Sequence, residues 1–348
     1  LPGGSFFLRR STLLAGAGAV AATLPILTLD DLAFAADAPP PAKPVTIRMG
    51  WGIPAEEIHY VMLTDPSKAP NLGRYYTIVW NQFAGTALGV QGIAAGTLDA
   101  ATVGSLSMPN GIEQGADIVA VGQFIEERQP NFSTAWMYKK TSGIKTLADL
   151  KGKNVATSAI GGSTDYIQDF YIRDKAKLSP GTDYKKIELP FAQQQEALLN
   201  GKIDLGLFPQ PFYGRAIATG LYEPLFRLTD VQNPFVQLMQ GFSGAFIKAN
   251  PVAVRKFMED WVTVANYISD RKNRDAVIAT TNAVTKIPIS VLDTFMLTNQ
   301  DFFRPPQGRV NIQALQSNWD FFRKEGGIKK QLKVTNYLSP LSSVNKAG

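Results

Sequence analysis

One local plan occurs twice in this chain. Phe83-Ala84-Gly85-Thr86-Ala87-Leu88 leads through helix-like residues to Gly96-Thr97-Leu98-Asp99-Ala100. Phe191-Ala192, followed by Glu196-Ala197-Leu198, leads in the same way to Gly201-Lys202-Ile203-Asp204-Leu205. Each copy reads as a helix stopped by a glycine, which takes up the left-handed conformation that ends helices, and then a short apolar strand. Strands joined through a helix pair parallel. The Phe-to-Gly spacing is 13 residues in one copy and 10 in the other, so the copies read as two similar βαβ units rather than a regular solenoid. The expected class is α/β.

The flanking sequence extends both units. Strands are expected over 45–51, 76–83, 99–103, 118–124 and 135–138, with a helix over 86–95. The pattern then restarts with a helix at 146–150, a strand at 154–158, a helix at 164–176, a strand at 186–189, a helix at 194–199 and a strand at 203–208. From Asn250-Pro251 the chain turns helical. Val254, Phe257, Met258, Trp261, Val262 and Ala265 fall on one helix face, and further helices are expected over 274–283, 290–297 and 311–324. Open parallel sheets receive ligands beyond the carboxyl ends of their strands, and two such edges facing each other make a cleft.

Composition excludes much else. The 348 residues allow about two domains. Cysteine is absent, which removes disulfides, thiolate metal sites, cysteine nucleophiles and a lipid anchor through cysteine. His59 is the single histidine, so a multi-histidine metal centre is excluded, and no Gly-x-Ser-x-Gly elbow accompanies it. The net charge of +6 is spread over dipeptides such as Lys139-Lys140 and Lys185-Lys186. Nucleic-acid binding calls for a clustered patch, so no nucleic-acid partner is expected.

Arg9-Arg10, an Ala/Gly-rich apolar run to Leu29 and the small-residue pattern Ala33-Phe34-Ala35-Ala36 read as an export signal of twin-arginine type over 1–35. A proline-rich leader over 36–44 follows. The rival is a membrane anchor, which Pro25 and Asp30-Asp31 make a poor span. An exported binding protein without a lipidated cysteine needs a second membrane to retain it, so the expected location is the periplasm.

Candidate binding residues gather at expected strand ends. Gly162, Ser163 and Thr164, in Ala159-Ile160-Gly161-Gly162-Ser163-Thr164-Asp165, offer free N–H groups and hydroxyls at a helix start, a donor set for an anion. The alternative is an ordinary helix cap. Gly85 and Thr86, Ser105, and Gly52 after Trp51 stand at comparable turns. In Phe208-Pro209-Gln210-Pro211-Phe212-Tyr213 the aromatics line either a pocket or the core. Arg128 pairs either with a ligand acid or with its neighbours Glu126 and Glu127, the second being favoured.

The segment Gly143-Ile144-Lys145-Thr146-Leu147-Ala148-Asp149-Leu150-Lys151-Gly152-Lys153-Asn154-Val155-Ala156 resembles the inter-lobe signature of periplasmic solute-binding proteins of the nitrate, sulfonate and taurine type. Gly96 to Ala100 and Ala197 to Asp204 are similar to that family's lobe segments. The resemblance implies a two-lobed type II periplasmic-binding fold with C-terminal helices. Residues 45–140 with 236–330 would form the first lobe, 141–235 the second and 331–348 a tail. It implies a pocket on Trp51, Gly52, Gly85, Thr86, Ser105, Gly162, Ser163, Thr164 and Gln210. It further implies capture of a small organic anion, a sulfonate or carboxylate, by a monomeric, non-enzymatic protein that needs no cofactor or metal. The partner implied is an inner-membrane ABC permease. The alternatives are a receptor for a neutral heterocycle, such as a pyrimidine or vitamin precursor, and a secreted enzyme on the same fold.

Overall fold

The computed structural model describes residues 38–339, apart from 53–54, 58–59 and 84. The expected signal over 1–35 and the position of His59 lie outside the described residues. Among the described residues, ten strands form two five-stranded sheets. The first holds β1 (Val45–Trp51), β2 (Tyr76–Gln82), β3 (Ala100–Gly104), β4 (Ile118–Glu127) and β10 (Phe235–Ser243); the second holds β5 (Ala135–Lys139), β6 (Asn154–Thr157), β7 (Lys185–Glu188), β8 (Leu205–Phe208) and β9 (Tyr222–Arg227).

The sheets share one plan. In the order β2-β1-β3-β10-β4, β1 pairs parallel with β2 and β3, and β10 runs antiparallel between β3 and β4. In the order β7-β6-β8-β5-β9, β6 pairs parallel with β7 and β8, and β5 runs antiparallel between β8 and β9. The antiparallel strand of each sheet is the one that enters it directly after a crossover. The strand Ala135–Lys139, expected with the first lobe, therefore belongs to the second sheet, because the chain has already crossed over residues 128–134. β9 and β10 were not expected from the sequence.

The helices named below are α1 (Thr86–Ala94), α2 (Ser107–Glu113), α3 (Ser163–Ala176), α4 (Phe191–Leu199), α5 (Phe212–Ala218), α6 (Pro251–Ser269), α7 (Arg274–Thr285) and α8 (Ile312–Lys324). α1 lies close on β3 because Gly89 has no side chain: a Cβ there would sit 2.9 Å from the Ala101 Cβ. α6 buries Val254, Phe257, Met258, Trp261 and Ala265, as its periodicity requires. It also buries Asp260, whose carboxylate accepts from Tyr76 Oη at 2.7 Å and Asn71 Nδ2 at 2.9 Å. That acceptor pins the start of β2 to α6, since a buried carboxylate must be satisfied by donors.

α8 joins the two sheets. Its buried Leu315, Trp319, Phe321 and Phe322 share one apolar cluster with Val103 and Met239 of the first sheet and Trp136 and Leu205 of the second. Phe322 meets Tyr166 of α3 edge-on at 6.3 Å, and Phe321 meets Phe170 at 5.2 Å. Arg173 of α3 pairs with Glu325 just beyond α8. On the other side Glu113 of α2 accepts the Lys329 N–H at 2.7 Å, and Asn318 Oδ1 accepts the Val236 N–H at 2.9 Å. The described part of the 331–348 tail packs on the body: Val334 is buried and the Ser339 N–H reaches Ala120 O at 2.9 Å. Among the described residues no helix is long and apolar enough to cross a membrane.

Phe322→Ala empties the centre of this junction and is expected to lower stability by about 3–5 kcal/mol. Urea unfolding followed by tryptophan fluorescence measures it; a loss below about 1 kcal/mol would show that α8 does not hold the sheets together.

Candidate functional site

The carboxyl ends of β1 and β3 frame a narrow pocket of about 10 Å³, lined by Gly50, Trp51, Gly52, Phe83, Gly85, Thr86, Gly89 and Thr102. Four sequence candidates thus share one wall: Trp51, Gly52, Gly85 and Thr86. The Phe83 N–H bonds to Trp51 O at 2.8 Å, which carries the parallel pairing of β1 and β2 past the strand end. Trp51 is buried and meets Trp80 edge-on at 6.5 Å. Ser105 stands just after β3 and does not line the pocket, but its turn adjoins it: a Cβ on Gly104 would lie 3.2 Å from Thr86 Oγ1. The hydroxyls of Thr102 and Ser105 are buried without a hydrogen-bond partner, a condition that favours uptake of a polar ligand atom.

Gly162, Ser163 and Thr164 start α3 in the second sheet, as expected, and Thr164 is buried. The donors of the preceding loop are taken by the protein's own carboxylates. Gly161 N–H gives to Asp165 Oδ2 at 2.9 Å and Ile160 N–H to Glu188 Oε2 at 3.0 Å. Asp165 is held by Lys186 at 2.9 Å, and Lys186 reaches Asp169 at 2.8 Å. Burial lowers the Lys186 ammonium, but its bonds to Asp169 and Asp165 outweigh that and raise it.

The two groups of candidates approach one another at Gly327, beyond α8. A Cβ there would lie 3.3 Å from both Leu106 Cδ1, next to Ser105, and Tyr166 Cε2, in the first turns of α3. Gln210 is engaged elsewhere: its Nε2 donates to Gln300 O at 3.1 Å and its Oε1 accepts from Gly214 N at 3.3 Å. It ties the start of α5 to the segment after α7. Phe208 is fully buried core, and Phe212 packs on Phe191 with ring centres 6.2 Å apart. Arg128 pairs with Glu126 at 3.2 Å and lies over the Phe303 ring.

The sequence reading passed over Glu56 and Glu57. Glu57 Oε1 accepts the Gly52 N–H at 2.9 Å, which places a buried carboxylate against the pocket wall. Glu56 beside it is buried with Oε2 unpartnered. Burial, then the charges of Glu57 and Glu127, pushes its carboxyl well above the ordinary range. Arg304 gives its guanidinium to the backbone oxygens of Glu56 at 2.9 Å and Ala55 at 3.0 Å. An acidic pair four and five residues past the glycine that follows β1 was the available signal.

Residues 79–268 match the model of the family described as NMT1/THI5 like. The chain belongs to that family. Among solved structures, the periplasmic aliphatic sulphonate binding protein SsuA from Escherichia coli is 21% identical, with a TM-score of 0.67 over 84% of this chain and 92% of that one. The alkanesulfonate-binding protein SsuA from Xanthomonas axonopodis pv. citri, bound to MOPS, is 20% identical with the same TM-score of 0.67, over 86% of this chain and 99% of that one. The desulfurization enzyme DSZB is 13% identical, with a TM-score of 0.62 over 86% and 98%. No curated protein matches the chain. These likenesses give this NMT1/THI5-like protein the type II periplasmic-binding fold, two α/β lobes with C-terminal helices.

Lys186→Met leaves Asp165 and Asp169 buried without their cation and is expected to destabilise by about 3–5 kcal/mol, as breaking one side of a buried pair does. Adding Asp165→Asn to that variant restores part of the loss. Chemical denaturation of the single and double variants reads the pair directly, and additive losses would refute the coupling.

Proposed function

We propose that this NMT1/THI5-like protein is the solute-binding component of an ABC importer, works in the periplasm, and carries a small molecule to an inner-membrane permease. It binds and closes; it does not turn its ligand over. The observation that carries this reading is the pocket at the carboxyl ends of β1 and β3, with the buried, unpartnered hydroxyls of Thr102 and Ser105 beside Thr86. Open α/β sheets receive ligands at that edge, and the start of α3 approaches it from the second lobe.

The ligand class best supported is an uncharged heterocycle bearing N–H donors. Three backbone N–H groups at these turns, those of Gly52, Ile160 and Gly161, already bond to protein carboxylates. The pocket lining itself holds neither Lys nor Arg. The carboxyl oxygens of Glu57 at the wall suit a ligand that donates, whereas a bare anion brings only acceptors. A small organic anion, sulfonate or carboxylate, is the second reading. It is supported by the hydroxyls of Thr86 and Ser105, by the N-terminus of α3, and by the likeness to sulfonate-binding proteins.

A thermal-shift screen of pyrimidines, sulfonates, carboxylates and nitrate, with ligand recovery by mass spectrometry, separates these readings. Ligand at 100 times its Kd adds about 2.7 kcal/mol. Thr86→Ala with Ser105→Ala is expected to weaken either ligand at least ~10-fold, or about 1.4 kcal/mol. Ser163→Ala with Thr164→Ala weakens an anion by the same factor and spares a heterocycle. Chemical conversion of the recovered ligand would overturn the receptor reading in favour of an enzyme.

A further inference from the structure

The stretch 300–304, beyond α7, bonds to four separate parts of the molecule. Gln300 O accepts from Gln210 Nε2 of the second lobe at 3.1 Å. Asp301 O accepts the N–H of Phe132, in the crossover between the sheets, at 3.1 Å. Phe303 and Glu126 of β4 exchange backbone bonds, the Glu126 N–H giving to Phe303 O at 2.9 Å and the Phe303 N–H to Glu126 O at 3.0 Å. Arg304 reaches the turn after β1, where NH1 gives to Glu56 O at 2.9 Å and NH2 to Ala55 O at 3.0 Å. Phe132 adds an apolar link, its ring lying 5.1 Å from Phe302 and 5.3 Å from Tyr213 of α5.

The stretch is braced from within and ends on the pocket. The buried Asp301 carboxylate accepts the Leu297 N–H at 2.9 Å and Arg304 Nε at 3.3 Å on Oδ2, and the Phe302 N–H at 2.8 Å on Oδ1. Leu297 holds a φ of 56°, a left-handed conformation that side chains rarely adopt and that persists only where the surroundings over-determine it. The pocket itself, at about 10 Å³, has room for little more than a water molecule, whereas small-molecule sites occupy roughly 300–1,000 Å³. Its strand side is fixed, since β1 pairs with β3 and Gly89 of α1 packs on Ala101. Its Gly52 side belongs to the turn after β1, in which Glu57 takes the Gly52 N–H and Arg304 holds the backbone of Ala55 and Glu56 from outside.

We propose that residues 297–304 are a coupling strap: through Gln210 and Arg304 they tie the position of the second lobe to the turn that shuts the pocket. The inference rests on the receptor reading, in which the pocket must widen to admit a ligand. Arg304 is a positioning residue. It lines no part of the pocket and acts through Ala55 and Glu56 on the stretch that carries Gly52 and Glu57. When the second lobe swings away, the Gln210 bond parts, the strap loses that anchor and the Arg304 fork loosens; when the lobe returns, both re-form. Bonds at the two ends of one braced segment are linked, so the loss of either weakens the other by the same factor.

The absence of cysteine makes the test direct. Thr102→Cys places a single thiol in the pocket lining, at a buried side chain whose hydroxyl has no hydrogen bond to lose. Its rate of alkylation by iodoacetamide, without ligand, reads how often the pocket opens. A second protein, Val155→Cys in the buried part of β6, reads general loosening in the same way. Gln210→Ala, which removes a bond to neither pocket nor turn, is expected to speed alkylation at position 102 about 3- to 10-fold, the effect of one hydrogen bond. Arg304→Met is expected to speed it at least ~10-fold. Arg304→Lys keeps a cation beside Asp301 but cannot fork between two carbonyl oxygens; it too speeds alkylation, and serves if Arg304→Met does not fold. The rate at position 155 stays at the parent value throughout. Parent-like alkylation at position 102 in Gln210→Ala, or equal acceleration at both positions, overturns the proposal. Because no ligand is present, that result speaks against the strap, whereas failure of every compound in the thermal-shift screen speaks against the receptor reading.

Discussion

The burial of one helix face between two sheets organises this molecule. α8 places Trp319, Phe321 and Phe322 where neither sheet alone could cover them, and its flanks bond to α2 on one side and α3 on the other. Burying an aromatic side chain is worth a few kcal/mol of transfer free energy, and three together give the C-terminal segment a firm seat. The first turns of α3 and the turn after β3 are brought near each other through that seat, around Gly327. The site is thus a product of packing at some distance from it.

The electrostatics of the site follow a second constraint. Strand-end turns expose N–H groups, and such groups must be satisfied when buried. Here Glu57, Asp165 and Glu188 supply acceptors at 2.9 to 3.0 Å. The protein's own carboxyl oxygens thus take three of the N–H groups that these turns present. What remains is a set of hydroxyls, which accept as readily as they donate.

Much of the architecture was legible because its signals are local. The glycine-stopped helices, the alternation of strands and the apolar face of α6 all obey short periods that a single sequence displays. The route of the chain was less legible. β9 carries Pro224, which argues against a strand until its place at a sheet edge is known. β5 looks like a continuation of the first lobe because nothing within Ala135–Lys139 states which sheet will accept it. At the site, the turn glycines and hydroxyls could be picked out by position. The acceptors that claim their neighbours could not, since Glu57 on Gly52 and Glu188 on Ile160 depend on turn geometry and on strand pairing. The engagement of Gln210 was hidden for a similar reason: its partner Gln300 lies ninety residues away.

The exchange of β5 and β10 between the sheets bears on how the chain can be assembled. The first sheet needs β10 between β3 and β4, so the hydrogen-bonding edges of both strands stay open until residue 243 has been made. The second sheet is complete at 227. Although it starts later in the chain, it can close earlier, and the first half of the protein must wait for the second. Such long-range closure slows folding and exposes strand edges meanwhile. A fragment ending before β10 therefore lacks the strand that joins β3 to β4, so the first sheet cannot be finished without the segment that follows the second.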